Sequence, residues 1–229
     1  MRVTYWSDFV CPFCYIGVER LKKAAEKLGI DLELELKAFQ LDPSATNHAT
    51  STTVERFAQK YGLSIDEAAH RIDLISEMGK SEGINFKYAT TLFTNTMDAH
   101  RLTKLGFARG GLEISEKLAE KFYAAYFTEN LELADHSLLK KIGIECGLDA
   151  EEIDQLLASN KYRDEVILDE REAMRYGIHA VPFFIVEGKY TISGADSVEN
   201  ISEILRKARL ESPAQSSNGF HCGEDGCNF

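Results

Sequence analysis

No stretch of the 229-residue chain approaches the ~18 consecutive apolar residues that a membrane-crossing helix needs. Positive charge is scarce: 26 Lys and Arg stand against 37 Asp and Glu, a formal net charge of −11. A chain this acidic lacks the electrostatic footprint of a nucleic-acid or anionic-membrane binder. Its expected partners are neutral, cationic, or held by local contacts. There are only five cysteines, and a chain of this length can build its own core, so a disulfide-stapled scaffold is not expected. The start, MRVTYWSD, lacks a charged segment leading into an apolar stretch and a small-residue cleavage site. A cytoplasmic location is therefore expected, where a cysteine pair serves catalysis or metal binding more often than structure.

The hydrophobic fraction, 44%, and the charged fraction, 28%, suit a soluble globular protein. RVTYW at 2–6 reads as a short strand. From Pro12 to Leu28, Ile16, Leu21, Ala24, Ala25 and Leu28 recur at helical spacing, and Gly29 is the stop. Leu32, Leu34 and Leu36 then alternate with charge, as in a half-buried strand within 30–41. Helices follow for about 130 residues. One starts at Thr52 or Thr53, and a second opens on the Ser64/Glu67 capping box. A third, over 95–110, places Met97, Leu102, Leu105 and Phe107 near one face and stops at Gly110-Gly111. Further helices cover 112–130, 137–146, 150–157 and 162–176. Strand character returns as a hairpin over 183–193, and a last amphipathic helix covers 197–210. The composition then turns polar and rich in Ser and Gly. The expected architecture is α/β: a β-α-β half at 1–41, a helical insertion at 42–176, a β-β-α half at 177–210 and a tail at 211–229. Together the halves can form one sheet with helices on its faces.

The segment SDFVCPFCYIG places Cys11 and Cys14 where the first strand ends and a helix begins. Pro12 suits the first helical position. Cys11 would then face the unpaired N–H groups and the positive dipole end of that helix, a setting that lowers a cysteine from about 8.5 to roughly 3.5–7.5. Cys14 lies one helical turn on, within disulfide reach. Such a pair suits thiol–disulfide exchange, in which one thiolate attacks a disulfide and its neighbour resolves the mixed intermediate. Far along the chain, Val181-Pro182 precedes the strand FFIV. A proline there cannot donate to a ladder, but it fits a cis-proline at a strand entry.

These segments, YWSDFVCPFCYIG, then NTMDAHRL, then GIHAVPFFIVEGKYTISGA, resemble the DsbA-like family of thioredoxin-fold proteins, and within it the cytoplasmic FrnE-like branch. The resemblance runs in order from about residue 3 to residue 210. It implies a thioredoxin fold interrupted by a helical domain, thiol–disulfide oxidoreductase activity and no organic cofactor. It also implies a dithiol facing a cis-proline loop, with Val181 and Pro182 bordering a groove for an extended peptide. Two departures stand out. The Pro-Phe pair between the cysteines lacks the histidine of strongly oxidising periplasmic relatives, so a less oxidising couple is expected. Asp196 stands after SGA where relatives often carry Gln. The same superfamily is similar to 2-hydroxychromene-2-carboxylate isomerases and kappa-class glutathione transferases, which place a serine at the position of Cys11. Cys11 and Cys14 argue against that chemistry, although glutathione remains a candidate thiol co-substrate.

In the tail, FHCGEDGCNF holds Cys222 and Cys227. At about 3.3 Å per residue the tail can reach the CPFC site, and some cytoplasmic relatives carry a similar C-terminal pair. An auxiliary redox pair is one reading. A metal site with His221, in a metal-holding stress protein, is a second, and a passive tail is a third. Cys146 reads as a small buried hydrophobe. His179, beside Val181, and His100, in DAHRL, are candidates for lining the cleft or tuning the thiols, and His100 suits packing or capping as well. Phe13 and Pro12, between the cysteines, border the expected groove. Asp8 either tunes the thiols or solvates its loop. KFYAAYF at 121–127 reads as core.

Overall fold

The computed structural model describes residues 1–211. Cys222 and Cys227 lie outside the described residues. Strand β1 (Arg2–Ser7) runs into helix α1 (Pro12–Leu28), which returns to strand β2 (Glu33–Ala38). A helical stretch follows: α2 (Thr53–Tyr61), α3 (Ile65–Ser81), a single 3-10 turn (Tyr88–Thr90), α4 (Met97–Phe127), α5 (His136–Glu145), α6 (Ala150–Leu157) and α7 (Arg163–Arg175). The chain closes with β3 (Phe183–Val186), β4 (Tyr190–Ser193) and α8 (Val198–Glu211).

The four strands make one sheet in the order β2-β1-β3-β4. β1 pairs parallel with β2 and antiparallel with β3, and β3 pairs antiparallel with β4. The parallel pair requires a crossover, which α1 supplies. The three-residue connection Glu187–Lys189 contains a β-turn closed by Lys189 N donating to Val186 O at 3.0 Å, with positive φ at its central residues Glu187 and Gly188. A central strand is covered on both faces and is apolar on both. Val3 and Tyr5 of β1 pack with Leu34, Leu36, Phe184 and Leu205 in the large core, whereas Trp6 points the other way, onto Ala173 and Ile178. Burying an aliphatic side chain of this kind stabilises by roughly 1.5–3 kcal/mol, so the alternation fixes the register.

Local signals set the helix ends. Gly29 ends α1 at φ 58°, and Thr52 and Ser64 open α2 and α3 with complete capping boxes through Glu55 and Glu67. One element is shorter than the segment that suggested it. The strand expected within 30–41 is confined to 33–38, because only those residues face β1. The break expected at Gly110-Gly111 is present: both glycines have non-helical backbone, with φ 64° at Gly111, so α4 is two helices that meet at a kink. Phe107, expected on the apolar face, is 49% exposed, whereas Met97, Leu102 and Leu105 are buried. One glycine sets a distance that matters below: a Cβ at Gly17 of α1 would meet Pro182 Cγ at 3.0 Å and Phe184 Cζ at 3.3 Å. Helix α1 therefore lies against the Val181–Pro182 turn at backbone range.

Candidate active site

Cys11 is the N-cap of α1, with extended backbone and Pro12 at the first helical position. Its carbonyl accepts from Cys14 N at 3.1 Å, its own N–H donates to Asp8 O at 3.1 Å, and its side chain makes no cap bond to the helix. The CPFC turn is thus held by its backbone, which leaves the sulfur available. The Val181–Pro182 peptide bond is cis. The Cys11 thiol donates to the Val181 carbonyl at 3.7 Å, so residues 170 positions apart meet at the sulfur. Cys11 is 4% exposed and Cys14 0%; both are free thiols.

The two sulfurs have different surroundings. Burial pushes the Cys14 thiol well above its ordinary range, and contact with Cys11 adds to that. The Ser7 side chain and the Asp8 backbone N–H hydrogen-bond the Cys14 sulfur and oppose the rise without cancelling it. Behind it, Ser7 Oγ is hydrogen-bonded to the Tyr123 hydroxyl. Burial keeps Tyr123 a neutral phenol, so with Tyr123 donating to Ser7, the Ser7 proton is free for the Cys14 sulfur. Ser7 and Tyr123, 116 positions apart, are both buried. Neither is marked by the sequence: Ser7 ends an ordinary strand, and Tyr123 sits among the core aromatics of α4. Replacing Ser7 with Ala removes a side-chain donor that favours the anionic form of Cys14. In a Cys11→Ser background the midpoint of thiolate absorbance should move to higher pH in Ser7→Ala, and an unchanged or lower midpoint refutes the arrangement.

Asp8 does not solvate its loop. It is 1% exposed, accepts from Leu41 N at 2.8 Å, and lies 3.4 Å from His100 Nε2. His100 is fully buried and packs on Phe9 with ring centroids 4.5 Å apart. The structure thus puts His100 beneath the dithiol loop and not in the cleft, because α4 turns that face into the core. His179, by contrast, is exposed at the cleft rim. Pro182 is buried and its carbonyl accepts from Gly194 N at 2.8 Å, which ties the cis turn to the end of β4. Ser197 caps α8, its Oγ accepting from Asn200 N at 3.2 Å, and Asp196 Oδ1 accepts from Ser197 N at 2.7 Å. Cys146 is buried and far from these groups in sequence, and burial raises its thiol.

Cys11 opens onto a cavity of about 490 Å³, within the range of small-ligand and peptide sites. Its floor and near wall are Val10, Pro12, Phe13 and Val181, and its far wall belongs to α2 and α3. Tyr126 of KFYAAYF reaches the cavity although it is 1% exposed. The site therefore brings together Cys11, Pro12, Phe13, Val181 and His179 in one cleft, with Cys14 and Pro182 directly behind it. Three cations on the far wall, Arg56, Lys60 and Arg71, carry no sequence signal.

A family model described as "DSBA-like thioredoxin domain" matches residues 2–206. Among solved structures, a probable DsbA oxidoreductase from Streptomyces coelicolor is 33% identical, covers 100% of this chain and 99% of its own, and superposes with a TM-score of 0.85. A 2-hydroxychromene-2-carboxylate isomerase is similar in fold at 17% identity, with 93% of this chain and 100% of that chain covered and a TM-score of 0.67. A cytosolic disulfide reductase from Pseudomonas aeruginosa, solved with GSH, is likewise similar in fold. It is 15% identical, 92% of this chain and 100% of that chain are covered, and the TM-score is 0.62.

Proposed function

The chain belongs to the DSBA-like thioredoxin family, and we propose that within it the protein is a thiol–disulfide oxidoreductase of the FrnE-like branch, working through Cys11 and Cys14. The observation that carries this reading is the asymmetry of the pair. Cys11 stands at the mouth of a cleft beside the Val181 carbonyl, while Cys14 lies sealed behind it with its proton held by burial.

Cys11 as thiolate attacks one sulfur of a client disulfide. The Cys11–client S–S bond forms, the client S–S bond breaks, and the leaving client sulfur departs as a thiolate that takes a proton. Cys14 then loses its proton, with Ser7 and the Asp8 N–H hydrogen-bonded to the sulfur where the charge appears. It attacks Cys11, forms the Cys11–Cys14 disulfide, and releases the second client thiol. The client gains two electrons and two protons, and the protein loses them. Run backwards, the same steps oxidise a dithiol client. Only sulfur carries the electrons, so no organic cofactor is required. Val181 and Pro182 present backbone to an extended client segment across the cleft. Glutathione fits as a small thiol that resets the pair, and the cytoplasm is the compartment in which a reset by glutathione operates.

The test is equilibration in glutathione buffers of defined potential, followed by an alkylation quench and mass mapping of every cysteine. Cys11 and Cys14 should convert together as a two-electron pair, with a midpoint more reducing than the roughly −120 mV of strongly oxidising relatives. The same maps report whether Cys222 and Cys227 crosslink. A CPFC pair that stays unreactive across the range would sink the reading. A stable glutathione complex with both thiols reduced would favour isomerase or transferase chemistry instead, and stoichiometric zinc would favour the metal-holding protein.

A further inference from the structure

The far wall of the cleft is chemically unlike the rest of the molecule. The chain carries a net charge of −11. Yet Arg56, Lys60 and Arg71 line this cavity, and among the described residues no aspartate or glutamate does. Arg56 is committed elsewhere: Nη2 pairs with Asp42 at 3.1 Å, and its guanidinium lies 3.4 Å from the centroid of the Phe93 ring. Lys60 and Arg71 differ. Among the described residues, neither has a carboxylate within 4.0 Å. Glu67 lies one turn before Arg71, but its carboxylate is engaged by Ser64 N at 2.9 Å and Ser64 Oγ at 2.8 Å.

The wall is also apolar in an unusual way. Phe13 is 38% exposed, Leu41 38%, Tyr61 52% and Leu74 55%, and all four line this one cleft. Clustered exposed apolar surface marks a binding site more often than scattered exposed residues do. Two cations without a carboxylate partner among the described residues, Lys60 with its Nζ 5.6 Å from the Tyr61 ring centroid, stand beside exposed aromatic and aliphatic groups in reach of an exchanging sulfur. They specify a ligand that brings a carboxylate and an apolar side chain together.

We propose that the α2–α3 wall is a specificity subsite for client polypeptides that carry an acidic side chain and an apolar side chain close to the cysteine that Cys11 engages. Lys60 and Arg71 receive the carboxylate, and Tyr61 and Leu74 receive the apolar group. This assignment of client class rests on the exchange reading above. It follows that the protein discriminates among clients by charge near the cysteine. The preference acts through partly exposed ion pairs, so it weakens as salt shortens the screening length from about 10 Å at 0.1 M to about 3 Å at 1 M.

Two peptides test it, identical except for Glu or Lys two residues from a single cysteine that follows a Phe, each presented as the mixed disulfide with 2-mercaptoethanol. The reduced full-length protein should react with the Glu peptide roughly threefold to tenfold faster at low salt, as two exposed ion pairs allow, and the ratio should fall towards one in 1 M salt. The double substitution Lys60→Gln with Arg71→Gln should bring the ratio near one, and Lys60→Glu with Arg71→Glu should invert it. Because the readout is a ratio within each variant, a general loss of rate does not imitate the effect. Peptides with serine in place of the cysteine should show the same order in equilibrium affinity. Charge-selective binding without any exchange would therefore overturn the exchange reading and leave the subsite standing. Absence of a charge preference, or a preference the variants leave unchanged, overturns the subsite. So does a preference that emerges only when residues 212–229 are removed, which would make the chain's own tail the occupant. If the variants alter the rate with glutathione disulfide but not the peptide ratio, the wall serves a small thiol and the client assignment fails.

Discussion

Cys14→Ser is expected to arrest the protein as a mixed disulfide through Cys11, and Cys11→Ser to reduce turnover by on the order of 10³-fold or more, as loss of a nucleophile does. The two substitutions differ by one sulfur each and leave the α1 backbone alone, because the CPFC turn is held by main-chain bonds. The difference in outcome comes from placement. Cys11 has the cleft in front of it and the Val181 carbonyl beside it, so in the proposed exchange it meets the client first. Cys14 is fully enclosed and its thiol is raised, so in the proposed exchange it resolves an intermediate already formed and does not start one. With Ser at position 14 the first S–S exchange proceeds and the second does not. The adduct should accumulate under non-reducing electrophoresis and give a single mass increment on the peptide that contains Cys11. With Ser at position 11, Cys14 remains beneath the surface and no adduct should form. An adduct that maps to Cys14 in the Cys11→Ser protein, at a rate near wild type, would reverse the assigned roles.

Much of this site was legible in the sequence because its signals are local. CPFC at a strand-to-helix junction, Pro12 at the first helical position, and the Gly29 stop each act within a few residues. The fold itself followed from periodicity at both ends of the chain, and from the resemblance that joined those ends into one sheet. What the sequence hid lies across long separations. Ser7 meets Tyr123 over 116 positions, and Ala38 N donates to Asp169 Oδ2 at 2.8 Å over 131. Neither serine nor tyrosine differs locally from its neighbours, so only the packed fold shows which hydroxyl faces the buried sulfur. The cationic wall was hidden for the same reason. Lys60 and Arg71 carry no local signal, and they line the cleft because α2 and α3 lie over Cys11. His100 was open in the sequence between lining the cleft and packing, and burial against Phe9 and Asp8 makes it part of the support below the dithiol loop.

The residue beside it carries the larger structural effect. Arg101 has a side chain only 4% exposed, and it spends its fork on backbone. Nε donates to Lys161 O at 2.7 Å, and Nη2 donates to Leu156 O at 2.5 Å and to Ser159 O at 2.6 Å. Nη1 donates to Asp98 Oδ1 at 2.6 Å. One guanidinium thus fastens the end of α6 and the connection to α7 onto α4. Hydrogen bonds to charged groups contribute about 1.5–3 kcal/mol each, and a buried carbonyl left without a donor costs about 1–3 kcal/mol. These terms overlap, so Arg101→Ala should cost about 3–5 kcal/mol in all. For a chain of this size each kcal/mol lowers Tm by roughly 2–4 °C, which places the fall near 10 °C. Arg101→Lys should recover less than half, because an ammonium cannot span carbonyls placed for a planar fork. Thermal unfolding of the three proteins decides the matter. A Tm within about 2 °C of wild type in Arg101→Ala, below what the loss of even one kcal/mol gives, would mean that the carbonyls find other donors and that the α6–α7 connection does not depend on this side chain.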